Sequence, residues 1–157
     1  MGQQQLLLVI LVTIIVGIAT VVAINTFGSA ADAANIDAVR TDVAAIASGS
    51  QGYFMKPTML GGGGRTFTNI TFEDFGFAAN GVTADGLTAQ NENGRYVISA
   101  RGVDSFLITA HPASDEDYVA GTVDADGVLS GGTDATESGE ATVTANNVTV
   151  LAFGSGS

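Results

Sequence analysis

The chain has 157 residues, enough for one compact domain plus one long element, and no cysteine, which excludes a disulfide framework and thiolate chemistry. Its formal net charge is -11, with Arg40, Lys56, Arg65, Arg95 and Arg101 as the only bases, so a nucleic-acid partner held by phosphate neutralisation is excluded for want of a basic face. An acidic, lysine-poor surface suits salty water, where screening removes most of the self-repulsion, or an ordinary secreted protein.

Residues 6–24 read LLLVILVTIIVGIATVVAI, without a charge and with Thr13 and Thr20 as the only polar members. As a helix the run is about 28 Å long, close to the hydrocarbon thickness of a bilayer. A lone strand could not satisfy its backbone in lipid, so the run is predicted to be helical. A cleavable secretory signal is the competing reading, with residues 30–33, AADA, imitating a cleavage site. The run is too long for the usual signal core, and no Lys or Arg precedes Arg40.

Beyond it, Ile36, Val39, Val43, Ile46 and Tyr53 recur at steps of three and four, interrupted by Ser50, while Asp32, Asp37, Arg40 and Asp42 lie off that stripe. The pattern predicts one helix from Gln3 to about Phe54, ended by Pro57 and a hinge at Gly61–Gly64. Apolar all round, the first half must be buried on every side by lipid or other helices, through Leu6, Leu7, Leu8, Ile10, Leu11, Ile14, Ile15, Ile18, Val21 and Val22. The second half needs only one partner surface, for which Ile36, Val39, Val43, Ile46 and Tyr53 are the packing residues.

Past the glycines the period changes. Strands are predicted at residues 65–72, 95–101, 103–111, 118–123, 141–145 and 148–153, with turns at Asn93-Gly94, Arg101-Gly102 and Asn146-Asn147. Their short spacing implies an antiparallel sheet. Residues 130–140, SGGTDATESGE, carry no large apolar side chain and read as a flexible acidic loop. The fold class is therefore α+β, a lollipop whose long hydrophobic stem packs on a small antiparallel head. Its segments are residues 1–28 (transmembrane or filament-core helix), 29–56 (amphipathic continuation), 57–64 (Pro/Gly hinge) and 65–157 (β head).

Chemistry-bearing patterns are sparse. Asp124-Ala125-Asp126-Gly127 opens like a calcium loop, and with Asp134 supplies a minimal Ca²⁺ candidate, against the plainer reading of an acidic turn. Asp115-Glu116-Asp117 reads as a solvated cluster, and His111 has no second His or Cys with which to form a metal site. Asn69-Ile70-Thr71 and Asn147-Val148-Thr149 fit the N-glycosylation triplet, and the glycine run is not a phosphate loop because no GK[ST] follows. No nucleophile, base and orienting group can be assembled, so neither an enzyme, a cofactor nor a small-molecule substrate is expected.

The polar start Met1-Gly2-Gln3-Gln4-Gln5, the apolar run from Leu6, Gly17 within residues 14–19, the stretch IDAVRTDVAAI at 36–46, and Tyr53-Phe54 before Pro57 form an ordered series. It resembles the N-terminal third of type IV pilins and pseudopilins. The resemblance implies a subunit that waits in the inner membrane, is handed to an assembly platform, and joins copies of itself in a helical homopolymer at the cell surface. It also implies processing after Gly2 with Gln3 as the first mature residue, or a mature start at Met1. The family's basic leader is absent, and its glutamate at the fifth mature position is replaced by Gln5 counting from Met1, or by Leu7 counting from Gln3. Gln5 can hydrogen-bond a neighbour's amine but not form an ion pair with it. The function so implied is a filament subunit; a secretion-machine pseudopilin and a non-polymerising single-pass surface protein are the alternatives.

Overall fold

The computed structural model describes residues 2–150 and 153–155. One helix, α1, runs without interruption over Gly2–Met55. The chain divides into two units, Met1–Ala34 and Asn35–Ser157. The described residues of the first are all helical. The second combines the rear of α1 with an antiparallel β-structure, so the chain is α+β.

Pro57, which cannot donate to a helical carbonyl, stops α1. The glycines beyond it then serve the helix end. Gly63 N donates to Tyr53 O (2.9 Å), Gly64 N to Lys56 O (3.0 Å) and Arg65 N to Phe54 O (2.9 Å), satisfying carbonyls that a helix terminus leaves open. Gly61 and Gly64 hold φ of 76° and 59°, in the left-handed region. A Cβ on Gly62 would run into the Lys56 carbonyl, and one on Gly63 into the Thr66 carbonyl. The run expected to be a hinge is instead a packed cap, and its glycines are there for close approach.

Nine strands follow among the described residues: β1 Gly81–Val82, β2 Thr88–Gln90, β3 Gly94–Ser99, β4 Ser105–Pro112, β5 Thr122–Val123, β6 Leu129–Ser130, β7 Glu137–Thr144, β8 Val148–Val150 and β9 Gly154–Ser155. The main sheet has the order β1-β2-β3-β4-β7-β8, with β9 pairing the start of β7, and β5-β6 forms a separate hairpin. Every strand pair is antiparallel. The centre is the β3–β4 hairpin extended by β7, where Tyr96 faces Ala110, Ile98 faces Ile108, and Phe106 faces Val143. Those residues point to one face and are buried, as the period of two requires.

That face meets the rear of α1. Val39, Val43, Ile46, Ala47, Tyr53 and Phe54 join Phe67, Ile70, Phe72 and the sheet residues in one hydrophobic core. Tilted aromatic pairs link the helix end to the sheet, from Phe54 to Phe67 (4.8 Å between ring centroids) and on to Phe106 (5.1 Å).

Three expectations need correction. Residues 65–72 form no strand. Ile70 N turns back to Phe67 O and Phe72 N reaches Gly86 O, so the three apolar side chains plug the core from a looped segment with no ladder. Residues 130–140 are not a free loop: Ala135 is buried, and β7 begins at Glu137. The strand expected over 118–123 shrinks to β5 and an isolated bridge from Val119 to Thr133. Part of the strand expected at 148–153 falls on residues 151 and 152, which lie outside the described residues; β8 covers its beginning.

Candidate functional site

The front of α1 is long and apolar enough to cross a membrane. Leu6, Leu7, Leu8, Ile10, Leu11, Ile14, Ile15, Ile18, Val21 and Val22 are all exposed, from 45% at Ile10 to 66% at Leu7. Its few hydroxyls are turned inward. Thr13 Oγ1 donates to Ile10 O, Thr20 to Val16 O (both 2.8 Å), Thr26 to Val22 O (2.9 Å) and Ser29 to Asn25 O (3.1 Å). Over residues 6–24 the outer surface thus presents hydrocarbon and no free side-chain donor. Full burial of one Leu, Ile or Val is worth about 1.5–3 kcal/mol, so covering ten that are already partly screened by their own helix yields on the order of 10 kcal/mol. Gly2, Gln3 and Gln5 lie on the exposed first turns, and open space surrounds Gly2 and Gly17.

The rear of α1 behaves differently. Val39, Val43, Ile46 and Tyr53 are buried, and Ile36 is half-buried. Ala47 and Phe54 join them, as does Ser50, wholly buried with its hydroxyl donating to Ala47 O (2.8 Å). The residue that interrupts the stripe therefore fits inside it, its polar group spent on the helix backbone.

Polar contacts fix the register of this packing. Asp42 Oδ2 accepts hydrogen bonds from Tyr96 Oη (2.6 Å), Asn91 Nδ2 (2.8 Å) and Asn93 Nδ2 (2.8 Å). Burial pushes the Asp42 carboxyl up, but the three donors outweigh it and hold the group below its ordinary value. Burial, together with the Asp42 charge, drives the Tyr96 hydroxyl well above its own. Two turns earlier, Asn35 Nδ2 donates to Asn93 O (3.0 Å) and its Oδ1 accepts from Ser114 N (3.1 Å); near the other end Gln51 Nε2 donates to Thr144 O (3.2 Å). Sequence reasoning placed Asp42 outside the stripe and missed this lock. Its residue types gave one hint, the Asn91 and Asn93 pair preceding Gly94.

The other singled-out residues are accounted for locally. Asp124 Oδ1 accepts from Asp126 N (3.0 Å) and Val128 N (2.8 Å), so it shapes the β5–β6 turn. Asp134 pairs with Arg95 (3.0 Å), whose guanidinium also donates to Gly131 O (2.8 Å). Among the described residues no three His, Asp or Glu side chains converge as a metal site, and Asp124, Asp126 and Asp134 are not brought together as one. Asp115 accepts backbone N–H bonds from Asp117 (2.9 Å) and Glu137 (2.9 Å). His111 Nδ1 lies 3.2 Å from Ala135 O. Asn69 and Asn147 are exposed in turns.

Comparison with protein-family models, with curated proteins and with solved structures gave no match for this chain.

Proposed function

We propose that this chain is the structural subunit of an extracellular filament of the type IV pilus kind, polymerised through the front half of α1. The observation that carries the reading is the contrast within one helix. The rear half closes over its own sheet, whereas the front half leaves every large apolar side chain exposed over residues 6–24. Such a surface requires a cover. Lipid supplies one before assembly; equivalent helices supply one afterwards, with close packing in place of fluid chains. No ion pair is needed to keep the extracellular fibre together, because a subunit leaving it for water would lose on the order of 10 kcal/mol of apolar burial.

A single-pass anchor is the second reading, favoured by the same helix, which fits a bilayer in length and composition. The two separate on detergent removal. The full chain, purified in micelles and dialysed without lipid, is expected to form fibres visible by negative stain. A chain lacking residues 1–28 is expected to remain a soluble monomer. Fibres from the truncated chain, or a full-length chain that only enters vesicles and never polymerises, would overturn the filament.

A further inference from the structure

The main sheet ends differently on its two sides. At β1 the outer edge is covered by the β5–β6 hairpin: Val82 N donates to Gly127 O (3.2 Å), and Val82 forms a parallel bridge with Val128. At the other end stands β8, which pairs with β7 and, among the described residues, has no backbone partner on its outer side. A bare strand edge invites another strand, and proteins ordinarily blunt it with a lysine, a proline or a covering loop. Residues 145–150, ANNVTV, hold no charge and no proline. They hold instead the triplet Asn147-Val148-Thr149, which fits the N-glycosylation pattern.

The fold presents this triplet in the open. Thr144 fixes the turn before it: its N and Oγ1 both donate to Asn147 O (2.8 and 3.0 Å), and Asn147 N donates to Thr144 Oγ1 (3.0 Å). The Asn147 side chain is exposed. Its Oδ1 accepts from Val148 N (2.8 Å), and its Nδ2 has no partner among the described residues. Val148 is half-buried against the core and anchors the strand, while Thr149 is exposed, its hydroxyl unbonded among the described residues. An amide nitrogen and the hydroxyl two residues on are thus both available, on an extended segment at a sheet edge.

The second triplet of the same pattern is closed. Asn69 is exposed, but Ile70 is wholly buried, and Arg101 Nη1 donates to the Ile70 carbonyl (3.2 Å). Thr71 Oγ1 and N both donate to Asp74 Oδ2 (2.9 and 2.8 Å), so its hydroxyl is already spent. Drawing residues 69–71 out into an extended segment would pull Ile70 from the core.

We propose that Asn147, and not Asn69, is the acceptor of an N-linked oligosaccharide in the folded chain, and that the glycan covers the outer edge of β8. The donor is a lipid-linked sugar phosphate, used by a membrane-bound transferase. One bond forms, from Asn147 Nδ2 to the anomeric carbon of the sugar. One breaks, from that carbon to the donor's phosphate oxygen, which leaves with the electron pair, and one amide proton passes to a base of the transferase. Nothing is oxidised or reduced. Transfer requires only that the head leave the cytoplasm, which the filament and the single-pass anchor share. A bulky, hydrated glycan beside Val148 and Thr149 denies the open edge to a strand of a neighbouring copy.

The test uses the full chain as its own cells make it, extracted in detergent. Cleavage after glutamate releases residues 141–157, and cleavage after arginine releases residues 66–95, so the two triplets are weighed separately. The first peptide is expected to carry the mass of a glycan, lost on chemical deglycosylation and absent from Asn147→Gln; the second is expected at its sequence mass. A bare 141–157, an added mass that survives Asn147→Gln, or sugar on 66–95 overturns the assignment. The covering role is read by sedimentation in micelles, where detergent shields the apolar helix. Asn147→Gln is expected to self-associate at a concentration at least about fivefold lower than the glycosylated parent, whereas Thr149→Lys, which also loses the sugar but places a charge on the edge, stays within about twofold of it. Both positions are exposed, so neither substitution disturbs the core. Equal association of Asn147→Gln and parent overturns the covering role.

Discussion

Replacing Asp42 by alanine tests whether the helix is held by a hydrogen-bonded carboxylate or by apolar contact alone. Asp42 takes three hydrogen bonds at 2.6–2.8 Å, one from a tyrosine that is wholly buried. A hydrogen bond to a charged acceptor contributes about 1.5–3 kcal/mol, and stranding the Tyr96 hydroxyl costs about 1–3 kcal/mol; the two asparagines are half-exposed and can turn to water. The net loss should be about 3 kcal/mol. For a domain of this size that corresponds to a melting temperature about 10 °C lower, measured on the soluble chain without residues 1–28. Asp42→Asn, which keeps one acceptor, should fall between. The pH dependence gives a second reading. The folded carboxyl lies below the ordinary 3.8, so its stabilisation is present above the unfolded value and is lost as pH falls through the folded one. The gap between parent and Asp42→Ala should therefore be constant from pH 7 to 5 and narrow below pH 4, toward the value for Asp42→Asn, because the protonated carboxyl keeps one acceptor. A loss under about 0.5 kcal/mol at pH 7, or a gap that widens in acid, would refute this account.

Two further outcomes follow from the packing. Val43→Asp puts an unpaired charge at a site 2% exposed, at a cost of several kcal/mol, and thermal unfolding of the truncated chain should show a head that is barely folded at 25 °C. Arg95→Met removes the bonds to Asp134 and Gly131 while filling the same space, so limited proteolysis should cut residues 118–134 several-fold faster, with a melting loss of only about 1–3 kcal/mol.

The long helix and the β3–β4 hairpin were legible because each repeats one physical period over many residues: unbroken hydrocarbon, then steps of three and four, then strict alternation in Phe106, Ile108 and Ala110. Strands of two or three residues, such as β1 and β5, carry no period to read. Phe67, Ile70 and Phe72 looked like a strand because they are apolar and close together, yet their uneven spacing belongs to a looped plug. The start of β7 was hidden by small residues whose smallness is the point: the Phe153 ring occupies the place where a Gly139 side chain would stand. Asp42 was missed because charge on a helix is read as solvent-facing, and its three donors lie about fifty residues away in sequence.

The inward-turned hydroxyls of Thr13, Thr20, Thr26 and Ser29 have a mechanical consequence. Where neighbouring helices are joined by donors and acceptors, any axial displacement must break specific bonds before new ones form. A surface of methyl groups has no such bonds to break, so its resistance to sliding is only the interdigitation of its side chains. A bundle of these helices would resist being pulled apart sideways far more than being drawn out lengthwise. A fibre built on them would lengthen under load by shear within its core.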